Sequence, residues 1–184
     1  MKFLKKNLSN ILILIAIALL FIPQTSMPIK VFLQRTFAGS PSIIKTENQQ
    51  VLTDYQWQLQ DLQGNKINLS QSQNKVLIIN IWATWCPPCV AEMPSFQALY
   101  NDYQNKVDFY FISSEKTETL NRFLEKYQYT LPVQQPLENE PDVLNSKVLP
   151  TTFVIDKTGK IVVNKSGAAN WNSTKFRQQL DGLL

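Results

Sequence analysis

Apolar and polar positions from residue 51 onward follow the two-residue period of β-strands in several segments. Residues 56–70 alternate and are interrupted at Gly64 and Asn65, which predicts a β-hairpin. Residues 75–83 are almost continuously apolar, as in a strand that is covered on both faces. Further strands are predicted at residues 107–113, 151–156 and 160–166, the last two joined by a tight turn at residues 157–159.

Helical spacing of apolar residues occurs in three other segments. Residues 88–103 and 117–129 each predict an amphipathic helix, and a last helix is predicted from about Ser173. Because strands and helices alternate, the pattern predicts an α/β fold in which a central mixed sheet carries helices on both faces. Residues 51–184 are interpreted as one such domain.

The N-terminal residues do not show this alternation of strand and helix patterns. An uninterrupted apolar run at residues 11–22 follows three lysines near the start of the chain, which is typical of a membrane-targeting segment. A run of this length is typical of a cleaved signal peptide, whereas a membrane-spanning helix needs about 20 residues. If the run is extended into the residues on either side, it approaches that length. Residues 23–27 form a poor cleavage site, so residues 1–27 are interpreted as an anchor that leaves the rest of the chain on the far side of the membrane.

Residues 28–50 are interpreted as a juxtamembrane linker. Residues 28–37 mix aromatic side chains with Lys30 and Arg35, which fits either a plain linker or a segment lying among lipid headgroups. Residues 40–50 are polar and predict a tether.

The net positive charge of the chain is concentrated in residues 1–50. Residues 1–50 carry six basic residues and one acidic residue, whereas residues 51–184 carry 12 basic and 13 acidic residues. Because the domain itself is not basic, no nucleic-acid partner is predicted. The chain has no histidine, which excludes Ser-His-Asp and Cys-His nucleophile arrangements.

The two cysteines of the chain, Cys86 and Cys89, lie at the predicted start of the helix at residues 88–103. If Cys86 is the N-cap, Pro87 and Pro88 take the first two helical positions, where a backbone N–H has no intrahelical partner. The prolines then stiffen the turn and leave the Cys89 N–H as one donor that can stabilise a thiolate at Cys86. The spacing lets the two sulfurs approach within bonding distance, so reversible thiol-disulfide exchange is predicted.

Two other interpretations of the cysteine pair are weaker. A purely structural disulfide would close so short a loop that it constrains the unfolded chain little. A zinc site needs about four ligands, and the sequence offers neither a histidine nor a third cysteine. Neither a metal nor a cofactor is therefore expected.

Two motifs resemble a known family. They are WATWCPPC at residues 82–89, followed by Pro94, and VLPTTFVIDKTGKIV at residues 148–162. They resemble the thioredoxin-like superfamily, in particular the TlpA/ResA-type membrane-anchored thiol-disulfide oxidoreductases, over about residues 51–184. The resemblance implies a thioredoxin-like fold with an N-terminal β-hairpin extension and an N-terminal membrane helix. It also implies a single-pass protein of the bacterial cytoplasmic (inner) membrane, with its catalytic domain on the periplasmic side.

The resemblance implies a role for each residue around the cysteine pair. Cys86 would attack the target disulfide and Cys89 would resolve the mixed disulfide. Pro150 would be a cis-proline, and Leu149 would offer its backbone to the substrate chain. The implied substrate-binding residues are Trp85, Pro87, Pro88, Leu149, Pro150 and Thr151, and the implied structural residues near the site are Trp82, Asn80 and Pro94, the last of which would kink the helix.

Two positions bear on proton transfer. Where thioredoxin carries a buried aspartate, this sequence has Asn80, which cannot titrate. ResA-like proteins carry a glutamate at the position of Glu92, three residues after Cys89. Our hypothesis is that a partly desolvated Glu92 exchanges a proton with Cys89; the alternative is a solvated glutamate on the helix surface.

The resemblance favours reduction of disulfides in envelope proteins, such as apocytochrome c, by a protein that a membrane electron donor recharges. Oxidase or isomerase activity stays open, because the sequence does not fix the direction of electron flow. A thiol peroxidase would use a threonine two residues before the attacking cysteine, and Thr84 lies there, although Cys89 is too near to be a distant resolving cysteine. A non-catalytic membrane-tethered module that binds cysteine-bearing clients is the remaining alternative.

Overall fold

The computed structural model describes residues 23–184 together with residues 8, 10 and 11. The apolar run at residues 11–22 lies almost entirely outside these residues. Of the predicted anchor at residues 1–27, residues 23–27 are described and belong to a helix that continues to Phe37. Within the described part of the chain, no helix combines the length and the apolar character needed to cross a membrane.

The domain is built on one mixed sheet, as the sequence predicts, and the sheet has seven strands within the described residues. In chain order the strands are β1 (Gln58–Asp61), β2 (Lys66–Asn68), β3 (Leu77–Ile81), β4 (Asp108–Ile112), β5 (Val133–Pro136), β6 (Thr151–Ile155) and β7 (Ile161–Ser166). Their spatial order is β2-β1-β5-β4-β3-β6-β7. The β3–β4 and β4–β5 pairs are parallel and the other pairs are antiparallel. Both predicted hairpins form, the first as β1–β2 and the second as β6–β7.

Within residues 23–184, four α-helices accompany the sheet. They are α1 (Pro23–Phe37), α2 (Pro87–Tyr103), α3 (Thr117–Tyr127) and α4 (Thr174–Asp181). The last three lie where the sequence predicts helices, and α4 begins after Ser173, whose side chain accepts a hydrogen bond from the Phe176 N–H.

The buried side chains form one cluster on each face of the sheet. Ile78 of β3 belongs to one cluster and its neighbours Leu77 and Ile79 to the other, because successive strand residues point to opposite faces. Apart from Ala91, the buried apolar residues of α2, α3 and α4 all belong to the cluster of Ile78. Of the helices that the sequence predicts on both faces, the α-helices of the described residues therefore lie on this face, and only short 3₁₀ helices contribute to the other. Since β3, β4 and β5 follow one another in a single direction across the sheet, right-handed crossovers place α2 and α3 on the same side.

The opposite face is covered by irregular chain instead of α-helices. Leu52 and Trp57, which precede β1, pack there together with Leu69 and Leu144 of two short 3₁₀ helices. Strand β5 is also an addition to the predicted elements. Its sequence VQQP has too few apolar residues to show a strand period, yet the side chain of its buried Gln134 accepts a hydrogen bond from the Phe111 N–H of β4.

The segment interpreted as a linker is more ordered than the sequence predicts. Residues 28–37 belong to α1 instead of a plain linker. The predicted tether at residues 40–50 lies along the outer edge of β7, where the Ile44 N–H donates to the Val162 carbonyl and the Ile161 N–H donates to the Gln50 carbonyl, each at 2.8 Å. A strand at the edge of a sheet leaves backbone groups unpaired, and this segment satisfies several of them.

Candidate active site

The two cysteines lie at the start of α2, just beyond the end of β3. They form a disulfide, with their Cα atoms 5.3 Å apart. Cys86 is the N-cap of α2, Pro87 and Pro88 take its first two positions, and the Cys89 N–H donates to the Cys86 sulfur at 3.3 Å. The predicted capping arrangement is confirmed.

The two cysteines differ in their exposure to solvent. Cys89 is completely buried, Cys86 is 4% exposed, and the preceding Trp85 is 67% exposed. Cys86 is thus the cysteine of the pair that retains contact with solvent.

The loop between β3 and Cys86 is anchored by Glu115, a residue that sequence reasoning did not single out. The backbone N–H and the hydroxyl of Thr84 donate to the two carboxylate oxygens of Glu115, at 2.6 Å and 2.7 Å. Glu115 follows β4, which lies beside β3, so both loops leave the same edge of the sheet. The Thr84 hydroxyl is therefore directed to a carboxylate acceptor.

The start of β6 lies at that same edge. Thr151 is paired with Ile81, the last residue of β3, and the Leu149–Pro150 peptide bond just before it is cis, as the resemblance implies. Thr151 is buried and its hydroxyl donates to the Val148 carbonyl at 2.8 Å. Its side chain is thus engaged in hydrogen bonds within the protein.

A cavity of about 410 Å³ opens between these loops. It brings together three of the predicted site residues, Trp82, Trp85 and Leu149, and adds Trp57 from the N-terminal segment. Its other lining residues are Ile81, Ala83, Ile112, Ser113, Ser114, Glu115, Pro136, Glu140 and Ser146. Pro87 and Pro88 are half-buried and do not line it.

Glu92 lies one turn along α2 from Cys89 and is buried, so the alternative of a solvated surface glutamate is wrong. Its Oε2 accepts hydrogen bonds from the Trp171 indole N–H at 2.8 Å and from the Ala169 N–H at 3.2 Å. Its Oε1 accepts a hydrogen bond from the Asn80 amide at 2.8 Å. Burial raises the pKa of Glu92 to about 8, although these donors act in the opposite direction.

Asn80 and Trp171 hold this carboxyl group from two sides. The Asn80 amide also donates to the Thr152 hydroxyl at 2.8 Å, which fixes the amide between β3 and β6. Trp171 lies between β7 and α4 and stacks on Phe96 of α2, with ring centroids 4.9 Å apart. The sequence shows no local signal for Trp171, because it reaches Glu92 through the tertiary fold.

Pro94 lies inside α2, which continues to Tyr103. Together with Val90 and Ala91 it lines a second cavity, which lies between α2 and α1. Pro94 is thus part of the surface on which α1 rests.

Comparisons with known proteins agree with this geometry. A sequence model of the AhpC/TSA family matches residues 53–164. The thiol-disulfide oxidoreductase ResA of Bacillus cereus is 33% identical over 129 residues, which are 67% of this chain and 70% of that protein.

Solved structures give the same fold. A protein described as a thiol-disulfide oxidoreductase from Bacteroides vulgatus has a TM-score of 0.57 and 28% identity, covering 70% of this chain and 92% of that chain. A protein described as the thiol:disulfide interchange protein DsbE from Chlorobium tepidum has a TM-score of 0.59 and 21% identity, covering 79% of this chain and 98% of that chain. The second likeness concerns the fold alone. The cysteine pair lies at a helix N-terminus, and both the family model and the ResA relative match this chain. The chain therefore belongs to the thioredoxin-like AhpC/TSA family and is a thiol-disulfide oxidoreductase.

Proposed function

We propose that this protein reduces disulfides of other proteins through the Cys86–Cys89 pair, on the periplasmic side of a bacterial cytoplasmic membrane. The observation that carries the proposal is the disulfide at the N-terminus of α2, whose Cys86 sulfur accepts the Cys89 N–H. Partial positive charge at a helix N-terminus stabilises a thiolate, which is the attacking species in thiol-disulfide exchange.

In the reducing direction, the Cys86 thiolate attacks one sulfur of a client disulfide. A bond forms between Cys86 and the client, the client's own disulfide breaks, and the released client thiolate takes up a proton. Cys89, once deprotonated, attacks the Cys86 sulfur and releases the second client thiol. Two electrons pass from the pair to the client, and a membrane electron donor returns two electrons to the pair.

Glu92 is proposed to exchange the proton of Cys89. Cys89 is completely buried and has no direct contact with solvent, so its proton needs an acceptor inside the protein. Glu92 follows it by three residues on the same helix, and a carboxyl group with a pKa near 8 can change its protonation state in the neutral range. Asn80 and Trp171 are proposed as positioning residues, since each acts on Cys89 only through Glu92.

The cavity beside Trp85 and Leu149 is the proposed docking place for a client. Trp85 presents an exposed aromatic surface there, and the backbone around the cis Leu149–Pro150 bond is proposed to pair with an extended client segment. Apocytochrome c is one client compatible with this proposal. The engagement of Thr84 with Glu115 is unfavourable for a thiol peroxidase, in which this hydroxyl would serve the attacking cysteine.

Attachment to the membrane is proposed for residues 1–27. The support is in the sequence, where three lysines precede the apolar run at residues 11–22. Basic residues before a membrane segment retain the N-terminus in the cytoplasm, which would place the oxidoreductase domain outside.

The direct test is reduction of insulin by the full chain in detergent micelles, with dithiothreitol as the electron source. We expect turnover by the wild type, loss of turnover in Cys86→Ser, and a trapped mixed disulfide between Cys86 and a client in Cys89→Ser. A reduction potential well below that of the envelope is expected from equilibration with glutathione. A potential at the oxidising end would assign the protein to disulfide formation, and absence of any exchange would leave only a binding module.

A further inference from the structure

We propose that helix α1 lies flat on the outer surface of an anionic bilayer and is enclosed between the lipid headgroups and the active-site helix α2. This inference rests on the proposed membrane attachment of residues 1–27. It adds a second contact with the membrane, one that fixes the orientation of the oxidoreductase domain.

Helix α1 has two opposite apolar faces. Met27 and Val31, one turn apart, pack against the core cluster that includes α2. Ile29, Phe32, Leu33 and Phe37 recur at intervals of three and four residues, which places them on one side of the helix. At 100° per residue, the centre of this second group lies opposite Met27 and Val31.

The outer face is largely exposed among the described residues, although Phe32 also borders the cavity between α1 and α2. Phe32 is 68% exposed and Phe37 is 81% exposed, and both Ile29 and Leu33 are exposed as well. Four large apolar side chains on one exposed helix face form a contiguous patch of the kind that marks an interaction surface.

The polar residue within this patch is adapted to an apolar environment. Thr36 lies among the outer apolar residues, and its hydroxyl donates to the Phe32 carbonyl at 2.8 Å. A hydroxyl that is already hydrogen-bonded to the backbone costs less to remove from water. The patch can therefore be covered by lipid without leaving this donor unpaired.

Charge and chain position select a bilayer as the occupant. The apolar run at residues 11–22 ends immediately before Pro23, the first residue of α1, so the outer face, which starts at Ile29, follows the run within about two helical turns. Helix α1 contains Lys30 and Arg35, both exposed, and no acidic residue. Basic residues beside an apolar helix face are typical of helices that lie at the surface of anionic membranes.

The arrangement has a consequence for access to the active site. Because α1 rests on Val90, Ala91 and Pro94 of α2, this side of the active-site helix faces the membrane. Clients and the electron donor would then reach Cys86 from the side of Trp85 and Leu149.

The proposal is tested by site-directed spin labelling of the full chain in phosphatidylglycerol-containing liposomes. With the Cys86–Cys89 pair oxidised, a single introduced cysteine is the only free thiol, in the variants Phe32→Cys, Leu33→Cys and Phe37→Cys. The measurement compares collision of each label with oxygen, which concentrates in lipid, and with a water-soluble nickel chelate. The matched control is Gln34→Cys, an exposed position on the same helix outside the patch.

We expect the oxygen-to-nickel ratio at the three patch positions to exceed that at position 34 by about tenfold. Equal ratios at all four positions would overturn the proposal, and so would labels shielded from both reagents, which would indicate a protein partner or a second copy. Each variant is first checked for normal exchange of the Cys86–Cys89 pair with dithiothreitol, which establishes that its site is folded. Retention of the chain in carbonate-washed liposomes tests the membrane attachment separately.

Discussion

The indole nitrogen of Trp171 donates a 2.8 Å hydrogen bond to the carboxylate of Glu92, across 79 residues of sequence. This contact joins the segment before α4 to the helix that presents the cysteines. Together with the donors from Asn80 and Ala169, it gives a buried carboxyl group three hydrogen bonds while burial raises its pKa to about 8. The protonation state of Glu92 should therefore affect both the stability of the protein and the redox chemistry of the cysteine pair.

Stability should fall with rising pH because of Glu92. Its pKa is about 8 in the folded protein against 4.5 for the ordinary side chain, so between these values the folded state binds more protons than the unfolded state. The free energy of unfolding then decreases as pH rises, by up to about 1.4 kcal/mol per pH unit. Glu92→Gln should remove this slope between about pH 5 and 8.

The measurement is urea unfolding of the oxidised full chain in nonionic detergent at several pH values. Glu125→Gln, which changes an exposed glutamate, is the control and should keep the wild-type slope. An identical slope in Glu92→Gln and wild type would contradict a raised pKa at Glu92.

Trp171→Phe should raise the pKa of Glu92 further above about 8. The substitution removes a hydrogen bond that favours the charged carboxylate, while a phenyl ring can keep the stacking on Phe96. We expect the midpoint in the NMR titration of the Glu92 carboxyl carbon to move upward, and the pH profile of client reduction to move with it.

Trp82→Phe provides the matched control for this substitution. The Trp82 indole N–H has no hydrogen-bond acceptor among the described residues, so its loss should leave the Glu92 titration unchanged. In a Glu92→Gln background, Trp171→Phe should no longer shift the pH profile. A shift that persists there would assign Trp171 a role independent of Glu92.

The parts of this site that are local in sequence could be predicted, and the parts that depend on distant contacts could not. The capping of α2 by Cys86 follows from four consecutive residues, and the structure has it as predicted. Trp171 and Glu115 reach the site only after the sheet has brought separate loops to one edge, so no periodic pattern indicates them. The sequence does not predict helix α1, because apolar residues on two opposite faces obscure the single stripe of an ordinary amphipathic helix.

Removal of the Glu115 carboxylate should loosen the loop before Cys86. In Glu115→Ala, the backbone N–H and the hydroxyl of Thr84 lose their acceptors, which should reduce the free energy of unfolding by about 1–3 kcal/mol. We also expect faster hydrogen exchange at the Thr84 amide and slower client reduction, because the loop positions Cys86. Thr84→Val, which retains the backbone hydrogen bond, should have a smaller effect on all three measurements. Equal effects of the two variants would show that the backbone bond contributes nothing to the loop.

Trp85→Ala should separate client docking from sulfur chemistry. Trp85 is 67% exposed and lines the cavity beside Leu149, so its removal should change stability by less than about 1 kcal/mol. Reduction of insulin should slow by about tenfold, because a large aromatic contact with the client chain is lost. Reduction of a small aromatic disulfide reagent, which needs only Cys86, should remain close to the wild-type rate. Leu137→Ala, an exposed apolar residue that does not line the cavity, is the control and should leave both rates unchanged. Equal slowing with insulin and with the small reagent in Trp85→Ala would place Trp85 in the sulfur chemistry and remove it from client recognition.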